Sequence, residues 1–216
     1  MQIDCDGARH FPAAFGPADV AALTALLSLP QDRPGARLGT TPGLAALLGP
    51  TDGIAHSLLD PSARAVGAKL FDKSLARNWA LGWHQDRTIP VRERRDVDGF
   101  GQWTIKAGIA HCVPPLIFLE RSLTLRVHLD SVNRANAPLL VAPGSHRLGA
   151  VAESDIAAVV SRFGARACLA EAGDVWAYST PILHASDRAD APARRRVLQL
   201  LYSADTLPDR LEWLGV

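Results

Sequence analysis

The chain has 216 residues, with 23 Lys+Arg against 22 Asp+Glu and 48% hydrophobic residues. A formal charge of +1 argues against a nucleic-acid coat or a polybasic membrane binder, and no apolar run approaches the roughly 20 residues of a membrane span. At this size roughly 70–75% of the unfolded surface is buried on folding, so one domain spanning 1–216 needs no disulfide or metal staple.

Cys5, Cys112 and Cys168 are widely spaced and odd in number. They read as reduced thiols of a cytoplasmic protein rather than a disulfide framework. The start of the chain lacks a basic segment followed by an apolar stretch, which reads as no secretory signal.

The first third reads helical. Over residues 17–27, Val20, Leu23, Leu26 and Leu27 share one stripe, with Pro17 and Asp19 suited to a first turn. That stripe suits a core contact or the face of a homodimer. Residues 30–35, rich in Pro and Gly, should end the helix, and residues 43–48 suit another short one.

From residue 64 onward, short apolar or alternating runs are separated by Gly, Pro, Asp and Asn. Strands are expected over 65–71, 123–130, 139–142, 174–178 and 196–202. One helix is expected over 154–163, with Gly164 as its stop. The whole predicts a mainly β (α+β) jelly roll over about 64–203, with residues 1–60 as a helical outer layer on one sheet.

Trp83-His84-Gln85-Asp86 carries the first chemical signal. On an extended segment i and i+2 share a face, so His84 and Asp86 point the same way. One imidazole and one carboxylate are two-thirds of a 2-His-1-carboxylate triad, which suits non-haem Fe(II) because it leaves positions open. His184, after an apolar strand, suits the third ligand. His128-Leu129-Asp130 offers the same His-x-Asp spacing, and spacing alone does not choose between the pairs. Arg194, Arg195 and Arg196 follow His184, and one guanidinium fork there would grip a carboxylate. Alternation separates Arg195 from its two neighbours without saying which face is inside.

Taken together, several motifs resemble the phytanoyl-CoA dioxygenase-like proteins, in a bacterial subgroup. They are Trp83-His84-Gln85-Asp86, the run from Asn136 through Pro143-Gly144-Ser145-His146-Arg147, Gly173-Asp174-Val175, Leu183-His184-Ala185-Ser186 and Arg195-Arg196-Val197. Leu70-Phe71-Asp72-Lys73, Asn78-Trp79 and the segment from Phe100 to Gly108 belong to the same pattern.

The resemblance implies a double-stranded β-helix and an Fe(II)- and 2-oxoglutarate-dependent oxygenase using O2. It implies His84, Asp86 and His184 as iron ligands, and Arg195 with Ser186 on the distal carboxylate of 2-oxoglutarate. Two positions depart from the family pattern: Arg126 stands where a large aromatic is usual, and Lys69 where an apolar residue is usual. Lys69 is grouped with the 2-oxoglutarate contacts.

Substrate contacts are expected from Arg126, His128, Trp103, Lys106 and His111, the last two on a segment suited to a lid. Arg126 equally suits an ion pair with Asp130. His146 reads as a turn residue. Within the resemblance, an intact Asp86 implies hydroxylation of an unactivated C–H of a small molecule, such as an amino acid or secondary metabolite, with release of succinate and CO2. The alternatives are a non-catalytic jelly-roll binding protein, or a hydrolase or isomerase using another divalent metal. A nucleic-acid or membrane partner is not expected.

Overall fold

The computed structural model describes residues 3, 5–27, 35–191 and 193–216. The break expected at residues 30–34 lies outside them. Strand β1 (Ala8–Phe11) precedes helix α1 (Pro17–Leu26), and β2 (Gly35–Leu38) and α2 (Gly49–Leu58) lead into β3 (Arg64–Lys73). Next come β4 (Leu81–His84), β5 (Ile89–Val91), β6 (Gly101–Lys106), β7 (Ile109–Val113), α3 (Leu116–Glu120), β8 (Ser122–His128) and β9 (Leu139–Val141). The chain then forms α4 (Ile156–Phe163), β10 (Arg166–Cys168), β11 (Val175–Ser179), β12 (His184–Ser186) and β13 (Arg195–Ser203).

A major sheet runs β1-β11-β8-β13-β3-β2 and a second sheet runs β10-β9-β12-β4, with antiparallel pairing throughout. These are the two sheets of a jelly roll. A small sheet β5-β7-β6 stands beside them.

The period-2 alternation of β8 assigns its faces. Leu123, Leu125 and Val127 pack outward into a cluster with Leu198, Leu200 and Tyr202 of β13, and with Leu23, Leu44, Ile54 and Leu58 of the helical layer. Each such side chain taken out of water contributes about 1.5–3 kcal/mol before its entropy cost. Thr124, Arg126 and His128 fall on the opposite face, between the sheets, and all are buried. The same parity puts Arg195 and Gln199 of β13, and Lys69 and Lys73 of β3, on that inner face. The Tyr202 hydroxyl donates to Asp52 Oδ1 at 2.7 Å and bonds Thr51 Oγ1 at 2.9 Å, pinning α2 to the sheet.

All five expected strands are present within one or two residues, and Gly164 ends α4 with φ +74°. The first 60 residues are less helical than expected, because β1 and β2 form the two edges of the major sheet. The short helix expected over 43–48 is a single turn at Ala45–Leu47, followed by the unexpected α2. Leu26 leaves the predicted stripe and is exposed, while Leu23 and Leu27 are buried. All three cysteines are free, and burial pushes the thiols of Cys112 and Cys168 up to about 11 and about 12. Among the described residues no helix is long and apolar enough to cross a membrane.

Candidate metal centre and its cavity

His84 ends β4, and His184 opens β12 directly opposite it in the antiparallel pairing. The two rings lie 4.3 Å apart between centroids. Nδ1 of each ring bonds a carbonyl two residues back, Gly82 O at 2.7 Å and Ile182 O at 3.0 Å. A carbonyl only accepts, so Nδ1 carries the proton and Nε2 keeps its lone pair for a metal.

Asp86 follows two residues after His84. One ligand atom from each of His84, Asp86 and His184 lies within 4.8 Å of the others, and among the described residues this is the sole such group of three. Burial pushes the Asp86 carboxyl up, but Lys69, the two imidazoles and Arg126 outweigh it and hold it below the ordinary carboxylate range. Burial lowers His184 to about 4, against the pull of Asp86. The donor set is one ionised carboxylate with a neutral imidazole at His184, which fits a divalent first-row metal.

Asp86 is oriented from β13. Gln199 Nε2 donates to Asp86 Oδ2 at 3.3 Å, and Gln199 Oε1 accepts from Arg126 Nη1 at 2.9 Å and from the Tyr178 hydroxyl at 3.4 Å. Arg126 also lies over the Phe71 ring at 5.0 Å.

Four residues along β13, Arg195 is 2% exposed. Its guanidinium donates to Ala137 O and reaches Ser186 Oγ at 3.5 Å, and its Nε has no partner. Lys73, its cross-strand neighbour, donates from Nζ to Trp79 O at 2.7 Å, Ser186 Oγ at 3.1 Å and Asp187 O at 3.1 Å. Burial and the neighbouring cations lower Arg195 to about 9 and Lys73 to about 8. Two buried cations thus converge on Ser186, and no described acidic side chain lies within ion-pair distance of either. A buried charge without a counter-ion is costly, so this end of the cavity is built to receive an anion.

The flanking arginines point elsewhere. Arg194 pairs with Asp72 at 3.1 Å, and Arg196 with Asp130 at 2.6 Å. Asp130 is therefore occupied by Arg196, not by Arg126 as one expectation had it. His128 lies buried among Arg126 and Arg195, with neither ring nitrogen bonded, and burial lowers it to about 3.

One open cavity is lined by all three triad residues, Arg195, Ser186, Lys73, Lys69, Arg126 and Lys106. Neither His128 nor Trp103 lines it; Trp103 instead packs with the β5–β7 cluster and under Arg94. His111 opens on a smaller adjoining pocket shared with Lys69 and Asp86. Lys69 sits 3.7 Å from Asp86 rather than beside Arg195, a consequence of strand register, which pairs Lys69 with Gln199 and Lys73 with Arg195. Lys73 was legible as the residue four positions on, on the same face. Gln199 carried the matching signal four after Arg195. Arg37, on β2, had none.

A jelly roll carrying this triad is the scaffold of the non-haem Fe(II)/2-oxoglutarate-dependent dioxygenases, and the protein is an enzyme of that class. A family model described as Phytanoyl-CoA dioxygenase (PhyH) matches residues 54–197, two-thirds of the chain, and the chain belongs to that family. No curated protein matches it.

Among solved structures, EctD from S. alaskensis with 2-oxoglutarate and 5-hydroxyectoine shares 23% identity at a TM-score of 0.70, over 99% of this chain and 77% of that one. SnoK, a non-heme alpha ketoglutarate dependent carbocyclase from nogalamycin biosynthesis, shares 19% at 0.65, over 98% and 83%. HygX from Streptomyces hygroscopicus with nickel and 2-oxoglutarate bound shares 14% at 0.62, over 93% and 83%. At these identities the likeness is one of fold.

Proposed function

We propose that the protein hydroxylates an unactivated C–H of a small molecule at an iron held by His84, Asp86 and His184, with 2-oxoglutarate as co-substrate. The observation that carries this is the pairing of a three-ligand cluster with a buried anion seat in one cavity. The far carboxylate of 2-oxoglutarate would lie on Arg195, Lys73 and Ser186. The chemistry that iron and 2-oxoglutarate supply when bound is oxidative decarboxylation to succinate and CO2, coupled to oxidation of the substrate by O2.

The chain's own residues do the positioning. His84 and His184 are locked in one tautomer by backbone carbonyls, and Gln199 fixes the plane of the Asp86 carboxylate. Arg195 sets the depth at which the co-substrate stops. Family membership and the likeness to EctD and HygX support the reading.

Anaerobic addition of Fe(II) and then 2-oxoglutarate to the full chain should give a weak visible charge-transfer band. No band, together with no substrate-dependent succinate across a broad panel, would overturn the proposal.

A further inference from the structure

The cavity has a second cationic end that the co-substrate does not use. Arg37 on β2 lies directly across from Lys69 on β3. Like charges placed directly opposite on neighbouring strands destabilise the pairing. Lys106, at the end of β6, joins them: burial first, and then the charges of Arg37 and Lys69, lower the proton affinity of its amine.

None of the three is neutralised by an acid of its own. The Arg37 guanidinium forms no hydrogen bond or ion pair with a described residue, and Lys106 Nζ donates to the neutral hydroxyl of Thr88 at 3.0 Å. Lys69 has only Asp86, at 3.7 Å. Across the whole cavity, eight Arg and Lys side chains face two acids, Asp86 and the exposed Glu153. If Asp86 and the near carboxylate of 2-oxoglutarate go to the metal, and the far carboxylate goes to Arg195 and Lys73, the one acid left in the cavity is the exposed Glu153, which makes no ion pair with Arg37, Lys69 or Lys106.

We propose that the substrate is an anion whose carboxylate or phosphate sits on Arg37, Lys69 and Lys106, on the side of Asp86 away from Arg195. The word substrate rests on the oxygenase reading; the anion seat stands on its own geometry. Lys69 and Lys73 are four residues apart on one strand face, about 13 Å, so the two anions occupy separate ends of the cavity. Anchoring by charge at that distance leaves the uncharged part of the molecule lying over the triad. The cationic mouth also draws anions in from solution, which makes capture sensitive to salt.

The test uses the full chain freed of metal by a chelator. Inorganic phosphate and propionate are titrated calorimetrically, with the quenching of tryptophan fluorescence followed in parallel, since Trp79 and Trp83 line the cavity. Trimethyl phosphate and propionamide are the neutral counterparts. At least one of the anions should bind in two events, one for each end of the cavity, and the anion bound more tightly in the event that Arg37→Gln weakens identifies the group carried by the substrate. Binding should weaken as salt rises, and the neutral counterparts should not bind.

Arg37→Gln and Lys106→Gln should each weaken one of the two events about tenfold while Lys106→Arg keeps it, and Lys73→Met should weaken the other event, at the Arg195 end, and leave the first within about twofold. Circular dichroism and thermal midpoints check that each variant is folded. Absence of anion binding, equal binding of the neutral counterparts, or loss through Lys73→Met without loss through Arg37→Gln would overturn the proposal. Failure of the oxygenase reading shows differently, as a missing charge-transfer band with the anion titrations intact.

Discussion

His84 and His184 are cross-strand partners, with ring centroids 4.3 Å apart although they stand one hundred positions apart in sequence. Both rings are tethered at Nδ1 by a carbonyl two residues back. The two imidazoles are therefore placed by sheet pairing and their own backbone, with Asp86 held by Gln199. Removing one ring deletes a ligand without touching the pairing hydrogen bonds. His184→Ala should keep its circular dichroism and lose the charge-transfer band given by Fe(II) with 2-oxoglutarate, and Asp86→Ala should behave alike.

Gln199 links Arg126 and Tyr178 to Asp86. Groups that orient a ligand in this way commonly contribute about 10- to 100-fold in metal affinity. Gln199→Leu should weaken Fe(II) or Mn(II) binding by that factor, and Gln199→Glu should not restore it, because a carboxylate cannot donate to Asp86. Competition with a metallochromic chelator measures both.

Lys73 has its pKa lowered to about 8 by burial and by the charges of Arg195 and Arg126. In the unfolded chain the amine stays protonated up to about 10.4. Between those values the unfolded state binds the extra proton, so this group makes folding stability rise with pH from about 8 upward. The effect on 2-oxoglutarate is opposite. Its far carboxylate needs the ammonium form, so affinity should be flat below about pH 8 and fall above it. Lys73→Met should lower the affinity at neutral pH and remove the part of that fall that begins near pH 8, leaving only the fall from about pH 9 where Arg195 loses its proton; a pH series of anaerobic band titrations reads both.

Asp130 separates the two His-x-Asp pairs. It accepts from the Arg196 backbone N–H, Nε and Nη2 at 2.8, 2.8 and 2.6 Å, which is a structural assignment for a half-buried pair. Asp130→Asn should cost about 1–3 kcal/mol of stability and leave the charge-transfer band in place. Denaturant unfolding alongside the band titration checks the split.

The core strands were readable from sequence because they follow period 2, and alternation over 123–130 and 196–202 placed the sheets. The same period gave His84 and Asp86 a shared direction, but choosing that pair over His128 and Asp130 rested on the family resemblance. What was missed depends on partners distant in the chain. β1 and β2 are four-residue edge strands completed by neighbours far along the sequence, so no local signal marks them. Lys69 and Lys73 both point inward, and only their registration against β13 decides which meets Asp86 and which meets Ser186. His128 had the polarity of a substrate contact, but it is buried and does not line the cavity, a difference of depth that polarity in the sequence does not mark.

β13 has one further implication. This single nine-residue segment carries Arg195 at one end, Gln199 midway and Tyr202 near the other, reaching Ser186, Asp86 and the helical layer in turn. A slip of one position would evict the guanidinium and turn apolar side chains toward the metal. Errors of alignment during folding would thus produce inert molecules rather than half-active ones, and competence arrives all at once.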